Sequence, residues 1–418
     1  MSNRAPQQVL IPMQSMQSYS SVQPLVGGPL QLQQVARNPA ASDDDDDDKK
    51  GLCSQVVALG GILAGNGLSL LLVFVPIGIY AYWAQWSKAW IFTTNFLAIV
   101  PMAWLIGKTT EDLAEATGQI MGGLINATFG NIVEMLLCVA GIQQGQLQVV
   151  RCTLVGSILS NLLLVLGTAF MYGGMYFPEQ RYKREGALVH SSLLMFSVLA
   201  MALPTMLFIS LETDSYLLQV SRWESVLMLA LYCQYLYFQM FSHPSLFEEL
   251  AGDDDEEEDG ADLNPYCAGA LLALLTVMTS ICAEYLISAI EETVISWGVS
   301  TEFIGIIMLP IIGNAAEHYT AITVAGRNKM DLSLGVAVGS AVQMALMVTP
   351  FTVLVGWVVD SPVHLNFYPF QIAVMTVSVL LAVSILHDGT SNWLTGSMLL
   401  NAYIVIAMMY FVVDGKSV

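Results

Sequence analysis

Long apolar runs constrain this chain more than any other feature. A helix needs about 20 mostly apolar residues to cross a bilayer. Eleven such runs lie at roughly 59–82, 88–107, 115–142, 148–173, 187–211, 222–241, 265–290, 302–325, 332–359, 367–386 and 393–413. They are too long for barrel strands, and lipid tolerates only closed backbone hydrogen bonding. The expected fold is therefore an all-α polytopic membrane bundle of about eleven transmembrane helices. Charge agrees with this. Only 11 % of the 418 residues are charged and 55 % are apolar, less than half the usual charged share. The net charge of −20 is also concentrated: of 34 acidic residues, six form Asp43–Asp48 and ten lie between Glu248 and Asp262. What remains cannot coat a soluble globule. No basic patch exists to neutralise phosphates, which excludes nucleic-acid binding as a main activity.

Eleven spans put the termini on opposite sides. Lys49, Lys50, Lys108, Arg181, Lys183, Arg184, Arg327 and Lys329 then share the side of the N-terminus, against Lys88, Arg151, Arg222 and Lys416 on the other. That bias places the N-terminus in the cytosol. Cys53, Cys138, Cys152, Cys233, Cys267 and Cys282 show no paired spacing; they read as small hydrophobes rather than a disulfide frame or a zinc site.

The sequence repeats internally. Residue i matches residue i+183 without gaps: Gly122 meets Gly305, Gly130-Asn131 meets Gly313-Asn314, Glu134 meets Glu317, and Gly156-Ser157 meets Gly339-Ser340. The copies start five spans apart. An odd number of spans means that they enter the membrane in opposite directions, the inverted-repeat plan of secondary transporters. The expected organisation is a disordered cytosolic tail (1–51), an extra first helix (52–82), a first five-helix repeat (83–243), an acidic cytosolic linker (244–264), a second repeat (265–413) and a short C-terminal tail (414–418).

Glu134 and Glu317 fall inside spans three and eight, each three residues after a Gly-Asn pair. A carboxylate at membrane depth is costly and marks a functional site. Glycine lets the backbone open, and Asn131 and Asn314 supply amide oxygens beside freed carbonyls. Two carboxylates with such oxygens suit a hard cation, Ca²⁺ or Mn²⁺. His318 follows Glu317, could share or titrate with its proton, and has Met135 as its counterpart. Ser157, Ser160 and Asn161 in span four, and Ser340 and Gln343 in span nine, form a supporting polar layer; Gly335-Val-Ala-Val-Gly339 equally fits a helix-packing motif. Glu284 and Glu291, seven apart on span seven, are candidates for the pathway. TTEDLAEA, around Glu111, Asp112 and Glu115, reads as a helix start.

The stretches GGLINATFGNIVEM, VGSILSNLLLVLG, KREGALVHSSLL, IIGNAAEH and NKMDLSLGVAVGSAVQ, with the acidic linker between spans six and seven, together resemble the cation/proton exchanger family, part of the wider Ca²⁺/cation antiporter superfamily. The likeness runs from about Leu52 to Val413. It implies an eleven-helix exchanger of the vacuolar or another acidic-organelle membrane that moves Ca²⁺ in against protons. It implies that Glu134 and Glu317 bind the cation and the protons, helped by Asn131, Asn314 and His318. Many members carry a small residue where this chain has Ile132, which bears on the width of the passage.

The expectation is a transporter, not an enzyme. It needs no cofactor beyond the transported Ca²⁺ and H⁺, and its surroundings are lipid; a homo-oligomer is left open. Na⁺/Ca²⁺ or Mn²⁺/H⁺ exchange is the rival within the class, and a cation channel is the rival outside it. No pore-loop filter lies between the spans. No H-E-x-x-H supports an intramembrane metalloprotease, and no ATP-binding motif supports a primary pump. Driving Ca²⁺ up a gradient of about 10⁴-fold costs about 5.5 kcal/mol, and a lumen positive by about 30 mV adds about 1.4 kcal/mol for two charges. Each proton falling through about 1.5 pH units returns about 2 kcal/mol plus about 0.7 electrical. Two protons fall short and three suffice. A third proton needs a further titratable group, for which His318 and Glu284 are nearest in sequence.

Overall fold

The computed structural model of the chain describes residues 52–211, 216–247 and 263–412. The chain divides into residues 1–49 and 50–418, and every described residue belongs to the second unit. The expected N-terminal tail, the body of the acidic linker and the C-terminal tail lie outside the described residues.

The fold is all-α, as expected. The first half holds α1 (Leu52–Gly65), α2 (Phe74–Trp83), α3 (Lys88–Thr117), α4 (Gln119–Phe129), α5 (Ile132–Gln143), α6 (Leu147–Tyr176), α7 (Arg184–Leu211) and α8 (Leu217–Tyr237). The second holds α9 (Pro265–Ser288), α10 (Ile290–Trp297), α11 (Thr301–Gly313), α12 (Ala315–Gly326), α13 (Met330–Val358), α14 (Pro369–Leu386) and α15 (Trp393–Val412). Seven of these helices are long and apolar enough to cross a membrane, and ten spans result if each bent pair is one span. α8 carries Arg222 and Glu224 and is not among them, so the count of eleven is not reached on length and apolarity alone.

Some expectations need correction. The first span is not one helix; it bends by 105° at Asn66, whose side chain accepts from the Leu68 amide at 2.9 Å and starts a new turn. TTEDLAEA is not a helix start, because α3 runs unbroken through it. Thr109 bonds back to the Leu105 carbonyl at 2.6 Å rather than capping. The short helix α10, and a two-residue pairing of Gln180–Arg181 (β1) with Thr390–Ser391 (β2), were not legible in the apolar pattern.

The connections sort into two groups. One holds β1 and β2, Gln180 bonded to the Ala325 carbonyl at 2.9 Å, the Lys183 amide bonded to Asp331 at 2.6 Å, and Lys183 Nζ bonded to the Ser245 carbonyl at 3.0 Å. The other holds Gln146 bonded to Glu291 at 2.7 Å, Arg151 bonded to the Asn366 carbonyl at 3.1 Å, and the Leu365 amide bonded to Ser221 at 2.9 Å. We call these the β face and the Glu291 face. Leu203, Leu227, Val277, Val377 and Val405 are exposed between them, the inverse of a soluble surface. Exposed Trp83, Trp86, Trp90, Trp223, Trp297 and Trp357 stand near helix ends of the Glu291 face, and Tyr172, Tyr176, Tyr237, Tyr266 and Trp393 near ends of the β face, as aromatic rings do at membrane interfaces.

The two halves share unusual local geometry. α6 loosens into a π-turn at Ser160–Val165 and α13 does so at Met344–Val348, nearly the same position in both copies. Such turns cost hydrogen-bond geometry and recur at functional sites.

Candidate functional site

Both copies interrupt a span at Gly-Asn. Asn131 (φ −109, ψ 19) opens α5 and Asn314 (φ −87, ψ 20) opens α12, in the same non-helical turn. Asparagine is a favoured helix-capping residue, yet neither side chain caps its own helix. Each reaches into the opposite half instead. Asn131 Nδ2 donates to Gln343 Oε1, and Ser340 Oγ donates to Asn131 Oδ1 at 3.5 Å. Asn314 Nδ2 donates to the Ser157 carbonyl at 3.4 Å, and Asn161 Nδ2 donates to Asn314 Oδ1 at 3.4 Å. Asn161 also donates to Ser340 Oγ at 2.9 Å and joins the two sets. Of the polar layer expected from spans four and nine, Asn161, Ser340, Gln343 and the Ser157 carbonyl share one crossed network, and Ser160 makes no hydrogen bond in it.

Glu134 and Glu317 fall in the first turns of α5 and α12, where the helix dipole favours an anion. Glu134 is fully buried and Glu317 half-buried. Gly313 gives Glu134 its seat: a Cβ there would lie 2.7 Å from Glu134 Oε1. Glu134 Oε1 and Oε2, Glu317 Oε2, Ser157 Oγ, Ser160 Oγ and Asn161 Oδ1 are all buried without a hydrogen-bond partner. Buried polar atoms are normally satisfied. A cluster of oxygens lacking donors is suited to a cation or to added protons. Among the described residues no group of three or more His, Cys, Asp and Glu side chains could hold a metal ion. A cation at Glu134 and Glu317 would take its further oxygens from Asn, Ser, backbone or water.

The approach to this cluster differs on its two sides. On the Glu291 face, α11 lies hard against α6: a Cβ on Gly305 would meet Cys152 Cβ at 2.4 Å, and one on Gly156 would meet the Ile306 carbonyl at 2.4 Å. On the β face, Gly335 and Gly339 of α13, the register counterparts of Cys152 and Gly156, have nothing within 4 Å of a built Cβ. A cleft of about 290 Å³, lined by Ala114, Glu115, Gly118, Gly122, Gly123 and Asn126, opens along α4. Gly335 and Gly339 thus have room beside them where Cys152 and Gly156 have a packed helix.

His318 does not join the crossed network; its Nε2 lies 2.8 Å from Thr168 Oγ1. Glu284 is exposed on α9 and is not brought to the cluster. Glu291 is also exposed, and accepts from Gln146 at the other end of the bundle. Three residues escaped the sequence reading. Thr168 has no polar counterpart in the register, which sets it against Phe351. Gly313 was noted only as a helix breaker. Glu302, buried at 2 % exposure, was not singled out. Extending the repeat register would have flagged it, since that register sets Glu302 against Gln119 and Gln148 against Asp331.

Comparison with known proteins identifies the family of the chain. The profile of the sodium/calcium exchanger protein family matches two stretches, residues 87–241 and 268–412. A Ca(2+)/H(+) antiporter of Aphanothece halophytica is 42 % identical over 354 residues, 82 % of this chain and 95 % of that protein. Vacuolar cation/proton exchanger 5 of Arabidopsis thaliana is 39 % identical over 362 residues, 84 % of this chain and 82 % of its own. Among solved structures, native YfkE superposes with a TM-score of 0.73 at 31 % identity and covers 83 % of this chain and 100 % of its own.

Proposed function

Since the chain belongs to the sodium/calcium exchanger family, we propose that it is a Ca²⁺/H⁺ antiporter that loads Ca²⁺ into a vacuole or similar acidic organelle in exchange for protons. The names borne by its relatives support the ions and the membrane. The observation that carries the site is the set of donor-less buried oxygens around Glu134 and Glu317. The two matched stretches support a first exchanger repeat over 83–243 and a second over 265–413. In this reading the N-terminus and the acidic linker face the cytosol and the C-terminus the lumen. The β face is then cytosolic and the Glu291 face lumenal.

The mechanism is competition. Glu134 and Glu317 carry two negative charges when ionised. One Ca²⁺ cancels them, and so do two protons. An empty dianion in a dry bundle is strongly disfavoured, so the switch between faces occurs with Ca²⁺ or protons aboard and never with neither. Asn131, Asn314, Ser157, Ser160, Asn161, Ser340 and Gln343 supply neutral oxygens and hold the two broken helices in register. The test is Ca²⁺ uptake into vesicles bearing the purified protein, driven by an imposed pH gradient without ATP and without Na⁺. Uptake that collapses with the gradient is expected. Uptake that needs Na⁺ instead, or that proceeds with no gradient of either ion, overturns the reading. Cytosolic-side acid should raise the KM for Ca²⁺ and leave the maximum rate at saturating Ca²⁺ unchanged.

A further inference from the structure

α15 is the least buried of the seven long apolar helices, and it buries a single stripe: Gly396, Leu399, Tyr403 and Tyr410. That spacing is one helix face. The stripe runs along α6, backbone against backbone. A Cβ on Gly174 would lie 2.3 Å from the Trp393 amide nitrogen, one on Gly396 would lie 2.3 Å from the Met171 amide nitrogen, and one on Gly167 would lie 3.0 Å from Leu399 Cβ. Small residues at such a seam let membrane helices approach closely. Three glycines thus seat α15 on the part of α6 that follows the π-turn Ser160–Val165. Beyond this seam α15 packs on the π-turn itself.

Tyr403 brings a polar atom to that packing, where phenylalanine would fill the same volume without one. Tyr403 is 5 % exposed and Ser160 1 %. Neither hydroxyl has a hydrogen-bond partner elsewhere, and Ser160 is the polar group that the Tyr403 hydroxyl meets. Buried hydroxyls normally find a partner, and each of these two can give a hydrogen or take one. Ser160 is also where the two halves differ. Its register counterpart is Gln343, which accepts from Asn131 inside the crossed network, whereas Ser160 stays out of that network and meets α15. The next residue of the same π-turn, Asn161, joins the two halves through Ser340 at 2.9 Å and Asn314 at 3.4 Å. A π-turn holds its shape with poorer hydrogen bonds than an α-helix, so support from a neighbouring helix helps to fix where Asn161 stands.

We propose that Tyr403 is a positioning residue for Ca²⁺ binding: its hydroxyl pairs with Ser160, props the π-turn of α6 from outside, and keeps Asn161 aligned on Asn314 and Ser340. Tyr403 acts through these residues and does not touch the ion. This rests on the exchanger reading above and narrows the part of Ser160 to holding the helix.

The test uses the full chain in vesicles, reading pH-driven Ca²⁺ uptake, with thermal unfolding of the detergent-extracted protein at rising Ca²⁺ as a second measure of binding. Tyr403→Phe keeps the ring and the glycine seam and removes the hydroxyl. It should raise the KM for Ca²⁺ about fivefold, the size of one hydrogen bond, at an unchanged maximum rate, and shift the Ca²⁺ dependence of unfolding by the same factor. Ser160→Ala should do the same. The double variant should be no worse than either single one, because both remove the same contact. A Tyr403→Phe protein that keeps the wild-type KM overturns the proposal, even if its Ca²⁺-free melting temperature falls, since a merely structural tyrosine behaves in that way. A double variant whose KM rises by the product of the two effects, about 25-fold, also overturns it, because independent sites add in free energy and Ser160 would then be an ion ligand in its own right. If Tyr403→Phe fails to reach the membrane, an unchanged Ca²⁺ dependence of unfolding in Ser160→Ala overturns it instead. Wild-type vesicles with no pH-driven Ca²⁺ uptake, beside a fivefold shift in the Ca²⁺ dependence of Tyr403→Phe unfolding, would fault the exchanger reading and leave the support of Asn161 standing.

Discussion

α4 and α11 hold equivalent places in the two halves and sit in opposite situations. Gly305 of α11 is pressed on α6 of the other half, whereas its counterpart Gly122 lies on Ala114 of α3 in its own half. Residues 304–310 of α11 are almost all buried, and Met121, Leu124, Asn126 and Thr128 of α4 are exposed. The same motif therefore appears once docked and once undocked in a single chain. Both copies carry the Gly-Asn break, the first-turn glutamate and the π-turn in the neighbouring helix, but α11 also holds a π-turn of its own at Ile304–Met308 and Pro310, which α4 lacks. On the exchanger reading, the inverted duplication gives one protein two gates of the same design, with α11 packed on α6 at the Glu291 face and α4 left exposed at the β face.

The largest expected effect tests whether the halves are equal at the ions. Glu134→Gln and Glu317→Gln should each cut pH-driven Ca²⁺ uptake by at least about 100-fold, as loss of a charged ligand at a buried ion site does, with normal delivery to the membrane. Near-normal uptake by either one would break the equivalence. Next come the matched glycines. Gly156→Ala should lower the thermal stability of the detergent-extracted protein by about 1–3 kcal/mol through overpacking, because Ile306 and Pro310 leave no room. Gly339→Ala should fold normally, since nothing meets its Cβ here. On the exchanger reading it should nonetheless slow transport about tenfold by hindering the closure of α4 on α13, a shift of about 1 Å being enough to misplace a packed interface. Equal stability loss in both variants would mean that the β-face gate is packed in solution.

A smaller effect is expected from Thr168→Val, which removes the partner of His318 in a part of the site with no repeat counterpart. One hydrogen bond, worth about 1 kcal/mol, should change the rate about fivefold at most, and a total loss would give His318 a weightier role than this geometry supports. Smallest of all, replacing Asp253–Asp259 by Gly and Ser should leave transport measurable, because that linker lies between the repeats rather than within either. Loss of transport in a folded protein would place the linker in the ion pathway.

Much of this was legible from the apolar runs and the 183-residue register. The register paired Asn131 with Asn314 and Glu134 with Glu317, and it named the polar positions of both supporting helices. It could not tell that each asparagine serves the other half, because sequence spacing fixes neighbours along a helix and not across the bundle. Helix boundaries were least legible at Asn66 and around α10, where short apolar stretches are compatible with one bent span or two. Glu302 was missed for a different reason. A carboxylate at a span's first residue is ordinarily solvated, and only tertiary packing against α6 buries it.

The crossed asparagine network also sets a schedule for biosynthesis. Asn131 enters the bilayer early, yet its partner Gln343 lies 212 residues further along the chain. At about 5–20 residues per second, the ribosome needs about 10 to 40 seconds to make that partner. During this interval the first half carries Asn131, Glu134 and Ser157 without the groups that complete them, so it must rest against water, lipid head groups or the insertion machinery. The second half is then a late-arriving template as much as a duplicate, and quality control that waits for it has a wide window in which to act.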